Sequence, residues 1–479
     1  MVVLDLIVLV PLVLAVVSAV AGRRCPGCPR WLALGGAALQ AAMIAVVAPS
    51  VVAGEVLTGL PAGAGQIVWS LRLDGLALPF VALTALIGLA AASASWGESR
   101  RPGGHFALLL LLQAALGAVF MADSLLLFYI AWESVLVPMF LLIGGWGSAD
   151  ARRASMKFLV YTFAGGAVLL AAILMALVRV GSTSIHTISE AGGVPGMPAW
   201  FFWVIAFGLL VKVPVVPLHT WLPDAHTEAP TAGSIILAGV LLKMGGYGLM
   251  RVAVPFAPQG FASAADVLAA LGLVGIVWGA ATALVQTDLK RLIAYSSVAH
   301  MGFATLAIAV ATPASWAAAV VVMVSHGFVA GMLFLLVGVL YERVHTRELS
   351  AFGGLGSIMP RWGTAFVFAA LASAGLPGLS GFPGEFMTFL EAFRSYGAWM
   401  LLAGGGVILA AAYNLRAVRS AVQGPPGEFT ALRDLGTRET LTVAALAVAI
   451  VLIGLAPHLI TGVVDAVLSG SSWLTSGGV

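Results

Sequence analysis

Charge is what this sequence has least of: only 9% of its 479 residues are charged, against 61% hydrophobic. That scarcity excludes an ordinary soluble domain and marks a polytopic membrane protein. The formal net charge is a small +3, which carries no nucleic-acid signal, so no nucleic-acid partner is expected. Cysteine is nearly absent. Cys25 and Cys28 form one C-x-x-C in a short loop, a spacing open to redox activity or to half a zinc site. No second pair completes four ligands, so the pair reads as functionally neutral and no metal is expected. Polar segments of domain size are also missing, and neither a Walker A motif nor a strand-embedded G-x-G-x-x-G occurs. Energy must therefore arrive through a partner or an ion gradient.

What the sequence has is long apolar runs. They lie at about 2–22, 31–53, 73–97, 104–121, 123–145, 154–179, 199–217, 230–252, 264–286, 290–311, 316–341, 362–395 (interrupted), 399–420 and 438–466. Each is long enough to cross a hydrocarbon core of about 30 Å, which gives about 14 helices, numbered here in that order. The first run carries Arg23 and Arg24 behind it, whereas a secretory signal carries its charge in front. Of the 23 basic residues, seventeen fall at odd-to-even connections, four (Arg72, Arg179, Arg251 and Arg394) near the opposite face, and two within apolar runs. The rich side is expected to be cytoplasmic, with both termini outside.

The two enclosed basic residues are Lys212 and Lys243. A charge at mid-membrane costs roughly 2.5 to 3.5 kcal/mol on insertion scales, so each needs a partner or a task. Pro214 and Pro217 interrupt helix 7 beside Lys212, and Pro377, Gly378, Gly381, Pro383 and Gly384 interrupt helix 12 beside Glu385. Glu133 lies ten residues into helix 5, about 15 Å at ~1.5 Å per residue, which is mid-depth. Lys243, His300 and His326 fall in the same layer. Carboxylates, lysines and histidines at one depth have the composition of a proton relay parallel to the membrane plane. A lone membrane histidine is as readily a packing residue, and a structural ion pair is the lesser alternative for Glu133 with Lys212. His219, Asp224, His226 and Glu228 are metal-type residues in a Pro-rich connection, and are expected to serve loop hydrogen bonding and helix capping. Ser296 and Ser297 stand one turn before His300, where they could hold water.

Four stretches carry a family resemblance: FYIAWESVLVPMFLLIGGWG at 128–147, KVPVVPLHTWLPDAHTEAPTAGSIILAGVLLKMGGYGLMR at 212–251, DLKRLIAYSSVAHMGF at 288–303 and GLPGLSGFPGEF at 375–386. They resemble the antiporter-like membrane subunits of respiratory complex I, NADH-quinone oxidoreductase. The resemblance implies an all-α fold of fourteen helices with two inverted five-helix repeats and broken helices 7 and 12. The implied divisions are 1–103 (helices 1 to 3), 104–252 (helices 4 to 8), 263–422 (helices 9 to 13) and 423–479 (helix 14 and tail). It also implies proton translocation driven by NADH oxidation and quinone reduction elsewhere, in a bacterial inner (plasma) membrane. Glu133 matches the family's helix 5 glutamate, Lys212 its helix 7 lysine and Lys243 its helix 8 lysine. His300 and His326 match the histidines that follow, and Glu385 the exit residue of helix 12. Sister L and N types, and Mrp-type antiporter subunits, usually carry lysine at that last position. Partners are then other membrane-arm subunits, including the L and N types. This chain would bind no cofactor, while NAD, FMN, iron–sulfur clusters and quinone sit in partners. An Mrp-type cation/proton antiporter subunit, or a membrane subunit of an energy-converting hydrogenase, is the alternative.

Overall fold

The computed structural model describes residues 2–64, 67–425 and 427–469. The end of the expected C-terminal tail, 470–479, lies outside them. Helix dominates because a hydrocarbon solvent offers no partner to backbone N–H and C=O groups, so each segment must satisfy its own. Among the described residues eleven helices are long and apolar enough to cross a membrane. The expected count of fourteen is thus not reproduced by length alone. Three shorter apolar helices, Leu78–Ala94, Trp200–Lys212 and His458–Leu468, accompany the eleven.

The differences have local causes. Helix 3 was expected from 73 but begins at Leu78, because Arg72–Leu73 pairs antiparallel with Leu57–Thr58 in the connection after helix 2. A second short pairing joins Ala62–Ala64 to Ile67–Trp69, so the all-α expectation gains two minimal sheets. Helix 14 divides into Thr437–Leu455 and His458–Leu468, with Pro457 between them. Cys25 and Cys28 are joined in a disulfide in the connection between helices 1 and 2.

Helix 7 breaks at its prolines as expected, after Trp200–Lys212, but helix resumes at Trp221–Glu228, where a connection was expected. The interruption leaves the Val211 carbonyl unpaired, and the Trp221 indole N–H donates to it at 3.0 Å. Helix 12 likewise divides into Pro360–Ser373 and Gly381–Tyr396. Gly375 and Gly378 between them adopt φ of 75° and 92°, a region that disfavours any side chain. Helix 5 carries an unexpected interruption, Leu125–Ser134 then Leu136–Trp146, directly after Glu133. Pro138 explains it: its ring displaces the carbonyl four residues back, at Ser134. Ser134 turns its hydroxyl to the Ile130 carbonyl at 2.6 Å.

Helix 8, Thr231–Phe256, contains π-helical turns at Leu237–Leu241 and Leu249–Ala253, one on each side of Lys243. Helix 8 and helix 11, Pro313–Val344, form the interior and are almost wholly wrapped by protein. Helix 6, Ala151–Val180, and helices 1 and 2 present apolar side chains such as Val160, Phe163, Val178, Val16 and Val46 outward. Such a surface fits lipid or neighbouring subunits.

Candidate functional site: a row of ionisable side chains across the bundle

The second half of the expected row is contiguous. Lys243, wholly buried on helix 8, places its Nζ 2.7 Å from Nδ1 of His326 on helix 11, and also donates to the Ala238 carbonyl in the neighbouring π turn. The His326 ring stands 5.5 Å from that of His300 on helix 10, Leu289–Val310. His300 Nδ1 then meets Glu385 Oε1 at 2.7 Å, at the start of the second segment of helix 12. Helix 12 can approach so closely because Gly384 lies against the helix 11 backbone, where a Cβ would stand 2.7 Å from the Val322 nitrogen. A small internal cavity lies among Ser296, Ser325, His326, His300, Ser373 and Glu385, so polar groups border the stretch between the two rings.

The sequence pointed only to serines near His300, whereas the structure adds a further set of buried polar groups. His300 Nε2 lies 3.3 Å from Ser373 Oγ and 3.4 Å from the Tyr413 hydroxyl. Asn414 donates to the same Ser373 oxygen at 3.2 Å. The ring is therefore fixed at both nitrogens, one toward a carboxylate and one toward hydroxyls. Tyr413 and Asn414 lie on helix 13, Leu401–Ala421, which the sequence gave no reason to single out.

The first half is built differently. Lys212 is buried, and among the described residues its Nζ finds no hydrogen-bond partner. It faces two rings, Trp132 at 5.2 Å and Phe158 at 5.9 Å. Each such contact contributes about 0.5 to 2 kcal/mol, comparable to the roughly 2.5 to 3.5 kcal/mol cost of the buried charge. Among the described residues no ion pair joins Glu133 to Lys212, so the alternative of a structural pair finds no support in the contacts. Glu133 is half-buried and rests on helix 6 at Gly166, where any Cβ would strike its carboxylate. Ile130, Ser134 and Val137 beside it are exposed. Among the described residues no hydrogen bond or ion pair joins Lys212 to Lys243.

The residues expected in the connection between helices 7 and 8 divide. Asp224 pairs with Lys157 at 2.7 Å and Arg291 at 3.5 Å. Glu228 accepts from Ser148 at 2.7 Å and from the Asp150 N–H at 3.0 Å, which is the loop bonding expected. His226 departs from that expectation. It lies inside Trp221–Glu228, is wholly buried, stacks on Phe334 at 4.7 Å, and has no hydrogen bond at either ring nitrogen among the described residues. Lys290, at the start of helix 10 as expected, is also buried and donates to the Ala229 carbonyl just beyond Trp221–Glu228. A cation at a helix C-terminus is favourably placed against the macrodipole. Among the described residues no cluster of three or more His, Cys, Asp or Glu could hold a metal ion.

Residues 122–410 match the family model described as NADH:quinone oxidoreductase/Mrp antiporter, TM. The chain is 38% identical to NADH-quinone oxidoreductase subunit M of Rhodobacter capsulatus, over 96% of this chain and 94% of that one. It is 44% identical to an NAD(P)H-quinone oxidoreductase chain 4 of Trichormus variabilis, over 83% of this chain and 76% of that one. A chain of respiratory complex I from Thermus thermophilus superposes with a TM-score of 0.90, at 31% identity, covering 99% of this chain and 100% of that one. The chain therefore belongs to the antiporter-like membrane subunits of NADH-quinone oxidoreductase, in the branch of subunit M and chain 4.

Proposed function

We propose that this chain translocates protons as a membrane-arm subunit of NADH:quinone oxidoreductase, through Glu133, Lys212, Lys243, His326, His300 and Glu385. The observation that carries the reading is the bonded succession Lys243 to His326 and His300 to Glu385, 2.7 Å at each end, buried at mid-bundle. Lysine, imidazole and carboxyl each exist with and without an exchangeable proton, so such a succession can pass one along. Lys212 supplies the gate. Opposite charge favours a buried ammonium and burial disfavours it, so movement or protonation of Glu133 switches Lys212 between loaded and empty. Water or side-chain motion carries the proton across the unbridged step from Lys212 to Lys243. His226, buried and without a hydrogen bond among the described residues, serves as the loading group from the arginine-rich side.

The driving event belongs to neighbours. NADH oxidation and quinone reduction occur in subunits that hold NAD, FMN, iron–sulfur clusters and quinone, and no electron passes through this chain. L-type and N-type subunits are its membrane-arm neighbours. Both termini face outside a bacterial inner membrane, and 104–252 and 263–422 act as inverted repeats, each with its broken helix. Glu385 favours this reading over an Mrp-type antiporter subunit, since those usually carry lysine there. Alanine at Glu133 or Lys212 should abolish most coupled pumping in vesicles while the complex stays assembled. Pumping at the parental ratio in either assembled variant would overturn the switch.

A further inference from the structure

Beyond Glu385, toward the side poor in arginine, helix 12 carries a second carboxylate that the relay as described does not use. Glu385, Thr388 and Glu391 follow at intervals of three residues, so each is a surface neighbour of the next on the helix. Glu391 stands about 9 Å further along the axis, and Arg394 another ~4.5 Å. Burial falls off along that line. Glu385 and Thr388 are buried, the Glu391 side chain is 13% exposed and that of Arg394 65% exposed. Glu391 is held from two directions: Arg394 donates to Oε1 at 2.7 Å and Thr312 donates to Oε2 at 2.9 Å. Thr312 sits in the connection between helices 10 and 11, which places Glu391 at the membrane end of the bundle.

A surface ion pair alone is worth little, and nothing in packing calls for a carboxylate in this nearly enclosed place. The polar groups on the other side of His300 do not offer an outward way, because Ser296 and Ser373 lie back toward the arginine-rich ends of helices 10 and 12. We propose that Thr388 and Glu391 form the terminal outward segment of the relay, with Glu391 the last proton-carrying group before the outer surface. The inference rests on the reading of Glu385 as a relay member. Protonated Glu385 gives its proton to a lone pair on the Thr388 hydroxyl as that hydroxyl passes its own to the Glu391 carboxylate. Glu385 is left as carboxylate, and Glu391 releases the proton to water beside Arg394. Thr388 donates to the Gly384 carbonyl at 2.8 Å in the resting arrangement, which leaves its lone pairs free and requires one hydroxyl rotation.

The test uses the assembled complex in native membrane vesicles, reading protons taken up per NADH oxidised, with assembly checked by native gel. Glu391→Gln should lose most pumping and Glu391→Asp should retain the greater part. Thr388→Val, which keeps shape and removes the hydroxyl, should lose more than Thr388→Ser. Thr312→Val and Arg394→Gln remove the partners and keep the carboxylate, so both should pump near the parental ratio. Parental coupling in Glu391→Gln alongside loss in Glu385→Gln would overturn this inference and spare the relay; parental coupling in both would remove the relay itself. If Glu391→Gln does not assemble, parental coupling in Thr388→Val overturns the inference.

Discussion

Lys212 and Lys243 are both buried lysines beside an interrupted or π-distorted helix, yet they are held in opposite ways. Lys243 is bonded to an imidazole and a carbonyl, whereas Lys212 has aromatic faces and a carboxylate at a distance. A bonded group passes protons along a fixed line. A group held by rings and a remote charge responds to changes in that charge, because neither ring offers a place to leave a proton. On the proposed function, the first region is the one switched and the second the one that conducts. The openness of the Glu133 face agrees, since the switch must be reached from outside this chain.

The sharpest way to break this contrast is at the switch. Lys212→Ala and Glu133→Ala should each reduce pumping by on the order of a hundredfold, the scale of removing a proton-transfer group. Proton uptake in vesicles containing intact complex measures it. If the second region only conducts, His326→Gln and His300→Gln should also uncouple, but less completely, because water in the adjoining cavity can stand in for a lost ring. A loss in the histidine variants greater than in Lys212→Ala would reverse the assignment of roles.

A smaller and more specific effect is expected at Gly166. Alanine there pushes the Glu133 carboxylate away from its seat, so pumping should fall several-fold, on the order of 1 kcal/mol in the switching step. Gly145→Ala, where a methyl meets open space, should leave pumping unchanged and serves as its control.

The smallest effect on pumping is expected at Asp74, outside both regions. Burial alone would push the Asp74 carboxyl up, but Arg251, bonded at 2.5 Å, outweighs it and holds the group below its ordinary 3.8. Asp74→Asn should lower stability by roughly 3 kcal/mol, the low end for breaking a buried pair, with pumping per assembled complex unchanged. A carboxyl depressed on folding contributes fully above its unfolded value. The parental protein should therefore keep this increment down to pH 3.8 and lose it as pH falls further. Thermal unfolding of detergent-solubilised protein across pH measures both.

The row of buried ionisable side chains was legible because such residues in apolar runs are conspicuous, and counting residues along a helix gives their depth. Lys243, His300, His326 and Glu385 were found in this way. The two proline-rich interruptions were legible for the same kind of reason. His226 was misread because its neighbours Asp224 and Glu228 do serve the loop, and a histidine at the end of a Pro-rich stretch gives no sign that it turns inward. Pro138 carried a signal for the break in helix 5 that an uninterrupted apolar run obscured. The π turns around Lys243 have no residue signature at all, and neither does the seating of Glu133 on Gly166, which depends on where helix 6 passes.

The most direct test of the conducting row is proton uptake per NADH oxidised in vesicles carrying Glu385→Gln, with the complex verified as intact. Glutamine keeps the shape and the hydrogen bond to His300 but cannot titrate. Loss of pumping is expected, with Glu385→Asp and Glu385→Lys each retaining part, since either can carry a proton. Full coupling in Glu385→Gln would contradict the account and leave the carboxylate as a packing feature of the break in helix 12.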